Sequence, residues 1–280
     1  MGRTKVTIAD LYARKNRGEK IAMLTAYDYG TAAMVDEAGV EVVLVGDSLG
    51  MVVLGYESTA PVTMDEMIHH AKAVRRGVKN ALVIGDMPFM SYNVSREEAI
   101  RNAGRFIKEA GCDAVKLEGG TEMAATVKAV VDAGIPVCAH IGLTPQTAVK
   151  LSGFKVQGKD AAGAMDLINS ARSLDEAGAF LLVMECIPDA IAARITKKVT
   201  MPTIGIGAGP GCDGQVLVIN DMLGVFERFL PKFVKQYAKL APRIKEALTA
   251  YIADVKGGTF PGPEHTFAMN AVELEKLDLD

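Results

Sequence analysis

Eight apolar, β-rich runs punctuate the chain: KIAMLTAYD (20–28), VEVVLVGD (40–47), NALVIGDMPF (80–89), DAVKLEGG (113–120), IPVCAHIG (135–142), AFLLVMEC (179–186), MPTIGIGAG (201–209) and GQVLVIND (214–221). Their centres are continuously apolar rather than alternating, the pattern of strands buried on both faces. Between most of them the apolar positions fall at helical spacing. TMDEMIHHAKAVRRG and SREEAIRNAGRFIKEAG open on Thr63 and Ser95, which suit an N-cap, and close on Gly77 and Gly111. Parallel strands alternating with helices predict an α/β protein, a (β/α)8 TIM barrel of ordinary size. A doubly wound open sheet is the alternative. The barrel is preferred because polar residues end strand after strand, whereas an open sheet gathers its site at one switch point. TIADLYARKNRG, with Thr7 as cap, is expected to form an N-terminal helix closing the barrel bottom. With no internal repeat or linker, residues 1–280 are expected to form a single barrel domain.

The C-terminal ends of barrel strands converge on one mouth, so the polar residues there define candidate chemistry. Asp47 and Ser48 follow the second run, Asp86 the third, Lys116 and Glu118 the fourth, His140 the fifth and Glu185 the sixth. Strand alternation places Lys116 and Glu118 on one face, with Leu117 on the other. So many carboxylates in one mouth repel unless protons or cations neutralise some of them. Lys116 supplies only one charge. A hard divalent cation, Mg²⁺, is the natural remainder, with Asp47 and Asp86 as direct ligands and Glu118 as a third ligand or the holder of a metal-bound water.

Each residue also has a plainer reading. An Asp after a strand is commonly a cap, Glu185 a structural ion pair, His140 a satisfied rim histidine and Lys116 a snorkelling side chain. Their joint convergence is what favours a metal-assisted site. The glycine-rich IGIGAGPGCDGQ is a rival signal for a phosphate cup. No helix-opening signature follows it, so tight turns and close backbone approach are the competing account. The connection HIGLTPQTAVKLSGFKVQGKD is long for its place in a barrel and is expected to be functional.

Composition narrows the setting. With 49% apolar and 23% charged residues and a net charge of −3, the chain gives no sign of nucleic-acid or membrane partners. Cys112, Cys138, Cys186 and Cys212 stand far apart, which fits free thiols in a reducing compartment. The N-terminus MGRTKVTIAD has no apolar signal segment, and a cytoplasmic protein is expected.

Eight blocks in order, LTAYDY, VGDSLGMV, GDMPFMSY, VKLEGG, HIGLTPQ, GFKVQGK, IGIGAG and CDGQVLV, together resemble the ketopantoate hydroxymethyltransferase family of pantothenate and coenzyme A biosynthesis. The resemblance runs from about Thr4 to Phe267. It implies a (β/α)8 barrel that binds Mg²⁺ and assembles as a homodecamer. It implies an activity transferring a hydroxymethyl group from 5,10-methylenetetrahydrofolate to 3-methyl-2-oxobutanoate. By resemblance Asp47, Asp86 and Glu118 stand at the metal positions, and Asp47, Ser48, Asp86 and Lys116 at those holding the keto acid. Glu185 stands at the position of the proton acceptor, whose role asks for a poorly solvated carboxylate beside Val183, Met184 and Ile187. His140 is a possible auxiliary to proton transfer or folate contact. The tail TFPGPEHTF also recurs in the family, and a surface strap is its simplest reading. Two other readings compete. One is a Mg²⁺-dependent lyase of the phosphoenolpyruvate mutase/isocitrate lyase type, which would usually present a cysteine in a mobile loop; residues 143–160 contain none. The other is a catalytically silent barrel used for assembly.

Overall fold

The computed structural model describes residues 3–150 and 153–277. Helix α1 (Ile8–Arg17) precedes eight strands: β1 (Ile21–Thr25), β2 (Val42–Val45), β3 (Leu82–Asp86), β4 (Ala114–Glu118), β5 (Val137–Gly142), β6 (Leu181–Glu185), β7 (Thr203–Ile206) and β8 (Gly214–Leu217). One strand falls within each apolar run. They pair in sequence order as a closed barrel, and β8 returns to β1 in parallel register, Ile21 beside Gly214.

Helices α2 (Tyr29–Ala38), α3 (Leu49–Val52), α4 (Met64–Gly77), α5 (Arg96–Lys108), α6 (Ala124–Asp132), α7 (Ala161–Glu176) and α8 (Asp189–Lys198) fill the connections up to β7. Thr63 closes a capping box with Glu66 at the start of α4, and Ser95 accepts from the Glu98 amide at the start of α5. Gly77 differs from its expected place. It is the last residue of α4, with Val78 as the cap. A Cβ there would lie 2.5 Å from the Tyr29 carbonyl oxygen, so glycine is what lets α4 approach α2.

The β7–β8 connection, residues 207–213, contains no helix. A Cβ on Gly209 or Gly211 would collide with Asp189 or Ala193 of α8. These glycines therefore serve close packing, and only Ile206 from the end of β7 reaches the cavity described below. After β8 come α9 (Ile219–Met222), an irregular segment, α10 (Leu240–Gly257) and α11 (Ala271–Leu274). The TFPGPEHTF tail turns back on α10, with the Phe260 ring 5.7 Å from that of Tyr251.

The barrel interior is filled by Ile21, Val42, Leu82, Ala114 and Leu181, with Leu11 of α1 fully buried among them. That is the expected bottom closure. Thr7 and Asp10 form the capping box that starts α1. Arg14 then pairs with Glu41 at 3.0 Å, and Lys15 with Asp213 at 3.1 Å, tying the helix to the strand starts. Burying the Leu11 side chain contributes ~1.5–3 kcal/mol. No helix among the described residues is long and apolar enough to cross a membrane.

Candidate active site

At the C-terminal ends of the strands the barrel opens on a cavity of about 360 Å³. Ser48, Asp86, Lys116, Glu118, His140 and Glu185 line it, and Asp47 stands just outside that lining. Strand register sets the cluster. Asp86 lies beside Lys116, Glu118 beside His140, and Gly142 beside Glu185 on adjacent strands. Lys116 and Glu118 share the inner face, while Leu117 joins the apolar layer under the helices.

Every member of the β3–β5 cluster is almost fully buried. The Lys116 ammonium donates to both Asp86 carboxylate oxygens, at 2.7 and 2.8 Å, and lies 3.6 Å from Glu118 Oε1. The Asp47 amide donates to Asp86 Oδ2 at 3.2 Å. His140 sits between two acids, with Nδ1 3.2 Å from Glu118 Oε1 and Nε2 3.4 Å from Glu185 Oε2. Neither approach has hydrogen-bond alignment, so charge rather than directed bonding links the three. Ser48 Oγ lies 2.8 Å from the Tyr27 hydroxyl.

The electrostatics follow from burial and crowding. Burial, then the charges of Asp86 and Glu118, push the Asp47 carboxyl well above its usual range. Burial and Glu118 likewise raise Asp86, despite Lys116. Burial opposes the Lys116 charge, but Asp86, Glu118 and Asp47 outweigh it and hold the ammonium well above the usual lysine value. Burial also works against the ionised Glu118, yet Lys116 and His140 keep it below the usual range. Burial disfavours the His140 cation as well, but Glu118 and then Glu185 push its pKa up to about 9.

Glu185 ends β6 and is the most open of these acids, with its side chain 15% exposed. Val183, Met184 and Ile187 around it are buried. The chain turns sharply after it: Cys186 has φ +48°, and its amide and carbonyl are fixed by Ile206 and Gln157, each at 2.9 Å. Gly142, at φ +98°, makes room for this turn, since a Cβ would lie 2.2 Å from the Glu185 carbonyl oxygen.

Three contributors were not singled out from the sequence. Gln146 donates from Nε2 to Asp47 Oδ2 at 3.0 Å and to the Met87 carbonyl at 2.9 Å, and from its amide to Glu118 Oε2 at 3.2 Å. The Tyr92 hydroxyl donates to Gln146 Oε1 at 2.5 Å and accepts from the Glu118 amide at 3.2 Å. Tyr27 holds Ser48. The usable signals were HIGLTPQ at the head of the long connection and the terminal Tyr of GDMPFMSY. Leu151 and Ser152 of that connection lie outside the described residues.

Among the described residues no group of three or more His, Cys, Asp or Glu side chains is set to hold a metal ion unaided. Three buried carboxylates nonetheless face one ammonium and one imidazole, an excess of hard oxygen donors and negative charge. That set suits a cation such as Mg²⁺, which takes one or two carboxylates and completes its shell with water and substrate oxygens.

Fold and cluster together define the class, a (β/α)8 barrel with a buried, acid-rich candidate site at the C-terminal ends of its strands. The model of the ketopantoate hydroxymethyltransferase family matches residues 5–263, and the chain belongs to that family. It is 60% identical over 273 residues to the 3-methyl-2-oxobutanoate hydroxymethyltransferase of Syntrophomonas wolfei, covering 98% of this chain and 99% of the relative. It is also 60% identical over 266 residues to the enzyme of that name from Heliobacterium modesticaldum, covering 95% and 96%. Solved structures of similar fold include phosphoenolpyruvate phosphomutase from Streptomyces platensis subsp. rosaceus, with TM-score 0.59, 15% identity and coverage of 96% and 94%. Phosphonopyruvate hydrolase in complex with oxalate and Mg²⁺ has TM-score 0.59, 12% identity and coverage of 96% and 95%.

Proposed function

We infer that the chain transfers a hydroxymethyl group from 5,10-methylenetetrahydrofolate to 3-methyl-2-oxobutanoate, giving 2-dehydropantoate (ketopantoate). The observation that carries this reading is near-full-length identity to enzymes named for that activity. The mouth supports it with a carboxylate on β6, beside a buried ammonium–carboxylate cluster on β3 and β4.

In this reading Asp47 and Asp86 hold Mg²⁺, and Glu118 serves as a third ligand or fixes a metal-bound water. Held there, Mg²⁺ would supply Lewis-acid chemistry toward the substrate's oxygens. Lys116 and Ser48 bind the substrate carboxylate, with Tyr27 orienting the Ser48 hydroxyl. Asp86 is shared between metal and substrate, and Gln146 sets the angle of the Asp47 carboxylate. Glu185 takes the C3 proton, and the enolate carbon attacks the donor's one-carbon unit at the formaldehyde level, after water has replaced its two C–N bonds. N5 and N10 leave protonated as tetrahydrofolate, and the carbonyl oxygen becomes the new hydroxyl. His140 lies between Glu118 and Glu185, which suits an auxiliary role in moving that proton.

The oxalate and Mg²⁺ held by phosphonopyruvate hydrolase show a barrel of similar fold taking a small diacid with this cation. The lyase reading expects a cysteine in a mobile loop, and residues 143–160 contain none. Burial pushes the thiols of Cys112, Cys138 and Cys186 up to about 12, and that of Cys212 up to about 11. Self-association as a homodecamer belongs to the same proposal. Ile244, Leu248, Tyr251, Ile252 and Val255 put an exposed apolar stripe along α10, as a helix covered by another subunit requires.

The test is proton exchange. With Mg²⁺ and 3-methyl-2-oxobutanoate in D₂O, without folate, the enzyme should replace the C3 hydrogen by deuterium. No exchange above the buffer rate would overturn the enolate reading. Cleavage of an isocitrate-type acid would favour the lyase.

A further inference from the structure

One carboxylate in the cavity has no part in the reaction as proposed. Asp221 lies in α9, just past the end of β8, and lines the same cavity as Lys116 and Glu185. In the closed ring of eight strands β8 lies opposite β4, which carries Lys116 and Glu118. Asp221 is 8% exposed. Among the described residues its carboxylate accepts no hydrogen bond and pairs with no cation; the contacts at this residue, Gln236 included, go to its backbone. The Thr25 hydroxyl, which also lines the cavity, accepts from the Ile219 amide at 2.9 Å.

A carboxylate largely withdrawn from bulk water and open only to the cavity is costly without a protein partner, and a ligand entering the cavity can complete it. Burial alone raises the Asp221 pKa to about 6, with no neighbouring charge contributing. The cavity is also lined by Leu217 and Val218 from β8 and its end, and by Phe226, Phe229, Lys232 and Phe233 from the following segment. This end of the cavity therefore asks for a flat, largely apolar ligand with adjacent hydrogen-bond donors on one edge.

The keto acid is an anion bearing only acceptors, so it cannot satisfy Asp221. The folate donor can, because its 2-amino-4-oxopyrimidine ring presents a ring N–H and an amino N–H side by side, matched to two carboxylate oxygens. We propose that Asp221 reads the heterocycle of the one-carbon donor, accepting from that N–H pair while the phenylalanines cover the ring face. The donor's anionic tail then points away from the acids, and its methylene carbon faces the keto acid held on the β3–β6 side. The inference rests on the donor assigned under the proposed function.

The test is binding of 6-methyltetrahydropterin, which has the ring without the tail, measured calorimetrically under reducing, anaerobic conditions with Mg²⁺ and keto acid present. Asp221→Asn and Asp221→Ser should each weaken binding about 10- to 100-fold, the range for loss of a charge-assisted bond pair. An analogue with methyl in place of the 2-amino group keeps only the ring N–H, so it should bind wild type more weakly than the parent pterin, and Asp221→Asn should weaken it less than it weakens the parent. Unchanged affinity in both variants, or an equal loss for both ligands in Asp221→Asn, would overturn the proposal. The reading beneath it fails separately. Wild type that exchanges C3 but binds no tetrahydropterin removes the donor, and this inference with it. Wild type that binds the pterin without regard to Asp221 removes the inference alone.

Discussion

Lys116→Met isolates the charge balance on which the site depends. Methionine keeps most of the stem volume and removes the ammonium that bonds both Asp86 oxygens at 2.7 and 2.8 Å. Asp86, Asp47 and Glu118 then keep their burial and lose the Lys116 cation. Breaking a buried pair from one side costs ~3–5 kcal/mol, because the remaining charge stays uncompensated. Unfolding entropy scales with length at ~2.1 cal/mol/K per residue, or about 0.6 kcal/mol/K for this chain, so the melting temperature should fall by about 5–8 °C. Keto acid binding should fall too, since the substrate carboxylate loses its cation.

The sign of the pH dependence is fixed by the directions of the shifts. The folded Lys116 value is raised, so its contribution is fully present below the unfolded lysine value near 10.4 and is intact at pH 7.5. Asp86 and Asp47 are raised as well, so their ionisation costs stability as pH rises. In Lys116→Met they protonate more readily, and the deficit should shrink as pH falls toward about 5. Scanning calorimetry of both proteins at pH 7.5 and 5 reads this directly. Lys128→Met is the control, because Lys128 pairs with Asp132 in an exposed bridge, a kind that contributes ~0–1 kcal/mol. A Lys116→Met protein melting within about 2 °C of wild type at pH 7.5, no lower than the control, would refute the account of the cluster.

Glu185→Gln should keep metal and keto acid binding while C3 exchange and turnover drop ~10²–10⁴-fold, in kcat rather than KM; exchange at the wild-type rate with transfer lost would move Glu185 to the donor side. Gly142→Ala should cost ~1–3 kcal/mol by backbone strain and slow exchange by displacing Glu185, because the new Cβ meets the Glu185 carbonyl; wild-type exchange in a stably folded variant would show that the turn does not aim the base. Asp221→Asn should stabilise the chain at pH 7.5 by at most about 3 kcal/mol, since a folded pKa of about 6 against the usual 3.8 is a penalty that appears as pH rises through that value. The gain should vanish near pH 4, and a difference independent of pH between the two proteins would refute its origin in the buried charge.

The strands and most of the cluster were legible because both are local in the chain. A continuous apolar run signals a buried parallel strand, and Asp86, Lys116, Glu118, His140 and Glu185 sit at or near the strand ends, where the barrel must gather them. Gly77 was misplaced by one step, because a glycine after apolar periodicity reads as a cap whether it ends a helix or lets another helix close. Gln146, Tyr92 and Tyr27 were illegible for a different reason. Each acts through a contact far along the chain, such as the 99-residue separation between Gln146 and Asp47, and no spacing rule encodes that. Asp221 was hidden more deeply still. It follows β8 as Asp47 follows β2, and only its lack of a partner in the folded protein separates it from a cap.

That contrast bears on how a single mouth handles two substrates. The acids on β3 to β6 are knit together, with Lys116, His140 and Gln146 bonded or charge-paired to them. Such a network is preorganised for an anionic ligand and a cation, and it pulls its own pKa values apart. On the opposite side of the ring, Asp221 lines the cavity with no hydrogen-bond or ion-pair partner of its own among the described residues, and Phe226, Phe229 and Phe233 line it too. A ligand that brought only charge would be drawn to the first side, and one that brought a flat ring with N–H donors to the second. A barrel offers eight strand ends to one cavity, so two recognition chemistries can be built on different strands without sharing a residue. The reacting carbons meet between them, and Glu185 on β6, more open than the rest of the acid cluster, is placed where the proton must leave before the new bond can form.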